Sequence, residues 1–139
     1  RAHQVAMYVV YDSPFVMLCD TPSNYLREDE TTRYIASIPT VFDSSKVLSG
    51  KVGEHIVMAR RKDGVWYVGG LTSWQPREVE VDFSFLGEGE WEVALFRDGI
   101  NADLTGLDYK TENLTVKSGD KHKVYMAPGG GFAMIIKQK

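Results

Sequence analysis

The spacing of hydrophobic positions changes its period near residue 41. Before that point Ala2, Val5, Ala6, Val9 and Val10 recur at helical intervals, and Met7, Tyr8 and Tyr11 widen the apolar face. A helix with so broad a face is buried over much of its circumference. It opens without a Ser, Thr, Asp or Asn cap, as an element entered part-way would. Ser13 and Pro14 break it, and Phe15-Val16-Met17-Leu18-Cys19 follows without alternation, which predicts a strand over 14–19 covered on both faces. Thr21 as cap and Pro22 at the first helical position open a second helix expected to reach about Ile38.

From Val41 onward the period is two. Strands are predicted at Lys46–Lys51, His55–Lys62, Val65–Thr72, Arg77–Phe85, Glu90–Arg97, Lys110–Lys117, Lys121–Met126 and Phe132–Lys137. Asp63-Gly64 is a two-residue hairpin signal, and Gly87, Gly89, Asp98-Gly99, Ser118-Gly119-Asp120 and Pro128-Gly129 punctuate the other breaks. Val79, Val81, Phe83 and Phe85 alternate with Glu78, Glu80, Asp82 and Ser84, giving one buried and one wet face. The expected fold class is mainly β: an antiparallel Greek-key β-sandwich of about eight strands over 41–139. A boundary is expected between Pro39 and Ser45. Helix, buried strand, helix over 1–40 is the repeating unit of an α/β barrel or a doubly wound sheet. No other segment offers that strand a parallel partner, so its neighbours are expected on sequence outside these 139 residues.

Composition adds boundaries rather than an activity. A content of 43% hydrophobic and 25% charged residues is ordinary for a globular chain. A net charge of −3 gives no reason to expect nucleic acid or an anionic membrane surface as partner. No apolar run approaches the roughly 20 residues that span a bilayer, and no signal peptide is visible at the start. Cys19 is the only cysteine, so no internal disulfide forms. It lies in the apolar run, where a thiol is expected to pack as a small hydrophobe rather than act as a nucleophile.

Candidate chemistry is sparse. His3, His55 and His122 stand far apart, outside metal-ligand spacing, and are expected to be surface or structural. No nucleophile elbow, HExxH, EF-hand loop or zinc knuckle occurs. Gly129-Gly130-Gly131 leads into the apolar run Phe132–Ile136 rather than a helix, so it is read as a tight approach to the last strand and not as a phosphate loop. Glu28, Asp29 and Glu30 are expected as solvated charge favouring an early helical turn. Asp20, at the end of the apolar run, is given no role. Trp66 and Trp91 fall in strand patterns and are expected in the core. Trp74, in Thr72-Ser73-Trp74-Gln75-Pro76, is on a turn and is the one candidate sugar-stacking platform. Asn113-Leu114-Thr115 matches a glycosylation sequon inside a strand, which gives it little weight.

Taken in order, Arg1-Ala2-His3-Gln4 through Tyr8-Val9-Val10-Tyr11, Ser13-Pro14, Asp20-Thr21-Pro22-Ser23-Asn24-Tyr25 and Ile38-Pro39-Thr40-Val41 form a recognisable series. Gly50-Lys51-Val52-Gly53-Glu54, Ala59-Arg60-Arg61, Trp66-Tyr67-Val68-Gly69-Gly70, Phe96-Arg97-Asp98-Gly99, Asp108-Tyr109-Lys110 and Ala127-Pro128-Gly129-Gly130-Gly131-Phe132 continue it. The series resembles the C-terminal region of glycoside hydrolase family 97 over nearly the whole chain, with Phe42 where many members carry tryptophan. The resemblance implies a parent with an N-terminal β domain, a (β/α)8 catalytic barrel and a C-terminal β-sandwich. Residues 1–40 would then be the last helix-strand-helix of the barrel. It also implies calcium-dependent hydrolysis of α-glucosides or α-galactosides by carboxylates of the barrel, a Bacteroidetes source, and a periplasmic or secreted location. No catalytic and no metal-binding residue of the family falls on this sequence. The expected role is a structural domain that packs on the barrel and joins subunits into a homo-oligomer. A carbohydrate-binding module holding an α-linked oligosaccharide on Trp74 is the alternative.

Overall fold

The computed structural model describes residues 1–139. Helices α1 (Ala2–Val10), α2 (Pro22–Arg27) and α3 (Asp29–Ala36) precede eight strands. These are β1 (Ser44–Lys51), β2 (His55–Lys62), β3 (Val65–Thr72), β4 (Arg77–Asp82), β5 (Glu90–Asp98), β6 (Tyr109–Lys117), β7 (Lys121–Met126) and β8 (Gly131–Gln138). Six of them form one antiparallel sheet in the order β1-β2-β3-β8-β5-β6, and β4 pairs with β7 in a separate ribbon. The last strand thus inserts between β3 and β5, which closes the centre of the sheet only when the end of the sequence arrives.

The alternation read from sequence decides what faces what. Val57, Ala59, Val68, Phe132, Met134, Ile136, Leu95 and Val93 point to the ribbon and meet Val79, Val81, Val124 and Met126 in the main core. The opposite face of the same strands presents Tyr67, Ala133, Ile135 and Phe96 to α1, whose Ala2, Val5 and Val9 are buried against them. Val5 and Val9 are almost wholly out of water, each a contribution of about 1.5–3 kcal/mol. Strands β3 and β8 are therefore covered on both faces, which is why their sequences run as near-continuous apolar stretches.

The helix lies unusually close to the sheet. A Cβ built on Gly69 would stand 2.9 Å from Val9 Cβ and 3.0 Å from the Ala6 carbonyl oxygen. Gly70, facing the other way, is covered by the Phe132 ring, 2.2 Å from where its Cβ would be. Adjacent glycines thus serve opposite faces: one admits a helix backbone, the other an aromatic ring.

Charged groups fasten the helical layer. Arg60 is buried beneath the C-terminus of α1 and donates to the Val10 carbonyl at 3.2 Å and to Asp12 Oδ1 at 3.4 Å, a cation placed where the helix dipole favours one. Its guanidinium also lies 5.1 Å from the centre of the Phe42 ring. In α3, the Tyr34 hydroxyl donates to Ala94 O at 2.8 Å, and burial pushes its pKa upward. Glu30 accepts from the Tyr109 hydroxyl at 2.7 Å and from Thr111 Oγ1 at 2.9 Å.

Five expectations need correction. Residues 12–21 form no strand, and Phe15 and Met17 are 78% and 72% exposed. With no extended neighbour in this chain, the segment has nothing to bond its backbone to. Cys19 is exposed rather than packed, for the same reason. The single helix expected to Ile38 is two helices, interrupted at Glu28, whose φ of −103° and ψ of 43° leave the helical region. Glu28 and Glu30 are not merely solvated: Glu28 pairs with Arg1, and Glu30 ties α3 to β6. The β4 strand stops at Asp82 instead of Phe85, because Asp82 Oδ1 accepts the Ser84 N–H at 2.8 Å and turns the chain. The Asp63-Gly64 hairpin forms as expected, with both residues at positive φ.

Gly69→Ala should force α1 off the sheet or distort β3, lowering stability by about 1–3 kcal/mol. Urea unfolding followed by tryptophan fluorescence measures it, and an unchanged midpoint would contradict the close approach.

Candidate functional site

Three places carry unusual chemistry or exposure: a buried carboxylate at the end of β5, the exposed segment after α1, and the turn bearing Trp74.

Asp98 ends β5 and is 3% exposed. Its Oδ2 accepts the N–H groups of Ala127 and Gly131, both at 2.9 Å. A Cβ on Gly130 would lie 1.9 Å from that oxygen, so the glycine between the two donors is required by the carboxylate itself. His3 Nδ1 lies 3.2 Å from Gly130 O; a carbonyl only accepts, so that nitrogen carries the proton. The knot joins the start of α1, the end of β5 and the β7–β8 turn. Burial pushes the Asp98 pKa upward, opposed by the two backbone donors and the nearby His3. The triple glycine is thus a carboxylate-wrapped turn, in keeping with the tight approach read from sequence.

A second charged cluster lies on β6. Glu112 accepts from Arg97 Nη2 at 2.8 Å and pairs with Lys110 at 2.5 Å. Those hydrogen bonds hold its pKa down to about 2 from the usual 4.5.

The sequence-selected residues stay dispersed. His55 Nε2 is 3.0 Å from Ser49 Oγ, His3 joins the Asp98 knot, and His122 lies on β7. Nowhere do three His, Cys, Asp or Glu side chains converge. Trp91 is buried in the core with its indole N–H donated to Gly87 O at 3.1 Å. Trp66 is half-buried against Phe85, ring centres 4.9 Å apart, with Arg61 over its other side. Trp74 is 85% exposed and lies along the β7–β8 turn, a Cβ on Gly129 falling 3.4 Å from its ring. It lines none of the three principal surface depressions. Asp20 bonds locally, accepting from Thr21 N–H at 2.7 Å and Asn24 Nδ2 at 2.6 Å as the cap region of α2. The roles of Asp98 and Arg60 were missed because neither stands in a catalytic or ligand-binding motif; the one signal available was a charged residue at an inward position of a strand pattern.

Residues 41–137, the whole β region, match the sequence model of the glycosyl-hydrolase 97 C-terminal, oligomerisation domain. The chain belongs to glycoside hydrolase family 97. A retaining alpha-galactosidase of Bacteroides thetaiotaomicron is 60% identical over 137 residues, 99% of this chain and 21% of that protein. A probable retaining alpha-galactosidase of Streptomyces bingchenggensis is 32% identical over 134 residues, 96% of this chain and 20% of that protein. The fold superimposes on a family 97 enzyme from Pseudoalteromonas sp. strain K8, solved with acarbose, with a TM-score of 0.94 and 34% identity, covering 99% of this chain and 22% of that one. The chain thus spans about a fifth of the length of these family 97 relatives.

Two titrations of opposite sign follow from the charged clusters. The raised Asp98 pKa means that between the usual 3.8 and its higher folded value the native state holds more protons than the unfolded, so stability falls as pH rises through that window. The lowered Glu112 pKa acts oppositely: its contribution is full above 4.5 and disappears as pH falls toward about 2. Glu112→Gln should flatten the acid limb of stability against pH. Asp98→Asn, which keeps an acceptor oxygen, should remove the falling limb, whereas Asp98→Ala leaves two buried N–H groups unpaired and should cost roughly 2–4 kcal/mol. Denaturant titrations from pH 2 to pH 7 distinguish these outcomes.

Proposed function

We propose that this chain is a non-catalytic structural and oligomerisation domain of a family 97 α-glycosidase, packed on the catalytic barrel of the same polypeptide. The observation that carries the reading is the apolar run 15–18, with Phe15, Met17 and Leu18 exposed, beside a sandwich whose central strands are already covered on both faces. Three exposed apolar residues flanking a half-buried valine on a short connector fit a strand awaiting sister strands. On this reading α1 is shared: its buried face belongs to the sheet, and its remaining face and the run after it belong to the barrel.

The substrate class is the α-galactoside, cleaved with retention. The 60% identical relative named a retaining alpha-galactosidase supports this choice. Acid–base and nucleophilic carboxylates are assigned to the barrel, since the one deeply buried acid of this chain, Asp98, is held by two backbone N–H groups. Calcium is likewise assigned there, because the residues present do not fit a calcium site: no cluster of oxygen-bearing acids is assembled. The periplasmic or secreted location and the Bacteroidetes source rest on the family alone. Lodging an α-linked oligosaccharide on Trp74 is less well supported, since the ring lines none of the three principal depressions.

The isolated chain should show no turnover of aryl α-galactosides or α-glucosides, while the complete polypeptide cleaves the galactoside. Turnover by the isolated chain, abolished by a point change within it, would overturn the proposal. A second measurement addresses the run itself. Phe15→Asp should shift the stability of the isolated chain by no more than about 0.5 kcal/mol, as at any exposed site. In the complete polypeptide the same change should cost roughly 3–5 kcal/mol, as at a buried one. Equal effects in both would show that the run is not covered by the barrel.

A further inference from the structure

We infer that the hollow between α3 and strands β5, β6 and β8 is a binding site for a neutral sugar, the α-galactosyl end of an oligosaccharide. The choice of a galactoside rests on the α-galactosidase reading above; the case for a polyhydroxylated ligand rests on the hollow itself. Its volume of about 750 Å³ lies within the range of small-molecule sites. Ala94, half-buried, forms the floor and is too small to fill it. Tyr34 stands as the wall on the α3 side, fixed by its hydroxyl donating to Ala94 O at 2.8 Å.

Around that floor the strand registers set four exposed polar side chains. Glu92 lies opposite Lys137 on β8 and Thr115 on β6, and one step along the same face Ala94 lies opposite Asn113. With about 4.8 Å between strands and about 7 Å between same-face neighbours, the four occupy a patch roughly 10 Å by 7 Å. Their hydrogen-bonding capacity is unspent. The ion pairs along β5 and β6 are made by Arg97, Lys110, Glu112, Lys117 and Glu90. The side-chain hydrogen bonds between α3 and the sheet are those of Tyr34 to Ala94 and of Tyr109 and Thr111 to Glu30. Glu92 and Lys137 therefore face each other across strands without closing an ion pair, although opposite charges so placed ordinarily attract.

The chemistry of the lining selects the occupant. None of its residues is among the large exposed hydrophobics of the chain, so it lacks the aromatic and apolar centre of a protein interface. Glu30, Glu92 and Glu112 line it against Arg33 and Lys137, and Arg33 is already held by Asp29. That balance repels phosphate and nucleic acid. The acids do not converge as a cation would need. A sugar suits what remains: the Glu92 carboxylate accepts from neighbouring hydroxyls, the Lys137 ammonium and Asn113 amide donate to their oxygens, and the Thr115 hydroxyl does either. Strands hold such groups more firmly in register than loops do. With no exposed ring to stack on, affinity should be weak, with a Kd of about 1 mM.

Isothermal titration calorimetry of the complete polypeptide with a sulfur-linked α-galactosyl disaccharide, which resists hydrolysis, tests this. Wild type should take up two equivalents, one in the barrel and a weaker one in the hollow. Glu92→Ala/Asn113→Ala should weaken the second uptake roughly tenfold or more, with circular dichroism unchanged and with kcat and KM for an aryl α-galactoside as in wild type. Lys137→Ala, made separately, should also weaken it, so the result does not hang on one variant. A single equivalent in wild type overturns the proposal, and so does a second equivalent that neither variant affects. A polypeptide that cleaves only α-glucosides, yet binds the disaccharide in a way both variants weaken, refutes the substrate reading and upholds the site. One that cleaves α-galactosides but binds nothing in the hollow refutes the site alone.

Discussion

Strands β3 and β8 run through the middle of the large sheet with both faces out of water, and each face demands its own cover. The ribbon of β4 and β7 is too narrow to cover more than the centre of one face, and α1 must cover the centre of the other. Side-chain sizes on the two faces follow from this. Facing the ribbon are Val68, Phe132 and Met134; facing the helix are Gly69 and Ala133, small enough for a helix backbone carrying Ala2 and Ala6 to settle directly onto the strands. The helix at the start of the chain and the strand at its end therefore depend on each other. The change of hydrophobic period near residue 41 marks a change of local structure, and the inner face of α1 packs on the sheet across it.

That dependence explains what could be read from sequence. Strand positions were legible wherever one face is wet: Val79 and Val81 against Glu78 and Glu80 on β4 leave no ambiguity, and Asp63-Gly64 fixes its hairpin because few other residues accept its backbone angles. The order of strands was not legible, since nothing in the pattern of β8 says that it inserts between β3 and β5. Nor was the fate of residues 14–19. An apolar run reports that a segment is to be covered, never by what, and within this chain nothing covers it. The helix expected through Ile38 failed at Glu28 for a tertiary reason: that residue turns to meet Arg1, and the following helix starts afresh so that Tyr34 and Glu30 reach β5 and β6.

The charged residues that matter most stand in no catalytic or ligand-binding motif. Arg60 looks like one of three consecutive basic residues at the end of β2, yet the alternation of that strand turns it inward beneath the last carbonyls of α1, while Arg61 turns outward over Trp66. A residue two positions away on the same face, Met58, packs against the same helix. Period two was thus sufficient to place Arg60 inside; what was lacking was any reason to expect a helix terminus waiting there. Asp98 is a similar case, its role visible only once Ala127 and Gly131 are folded back across the end of β5.

A desolvated carboxylate with a raised pKa is ordinarily a reason to suspect catalysis, and Asp98 is the one acid here that meets the description. Its surroundings argue the other way. Both of its donors are backbone N–H groups fixed by the turn, the space beside its oxygen is filled by Gly130, and it lines none of the three principal depressions. A general acid has to release its proton to something that arrives and leaves; this one faces groups that never move away. Its raised pKa reflects its burial at the closed end of the sandwich. The buried charge therefore fastens the end of β5 to the β7–β8 turn that carries the last strand into the sheet.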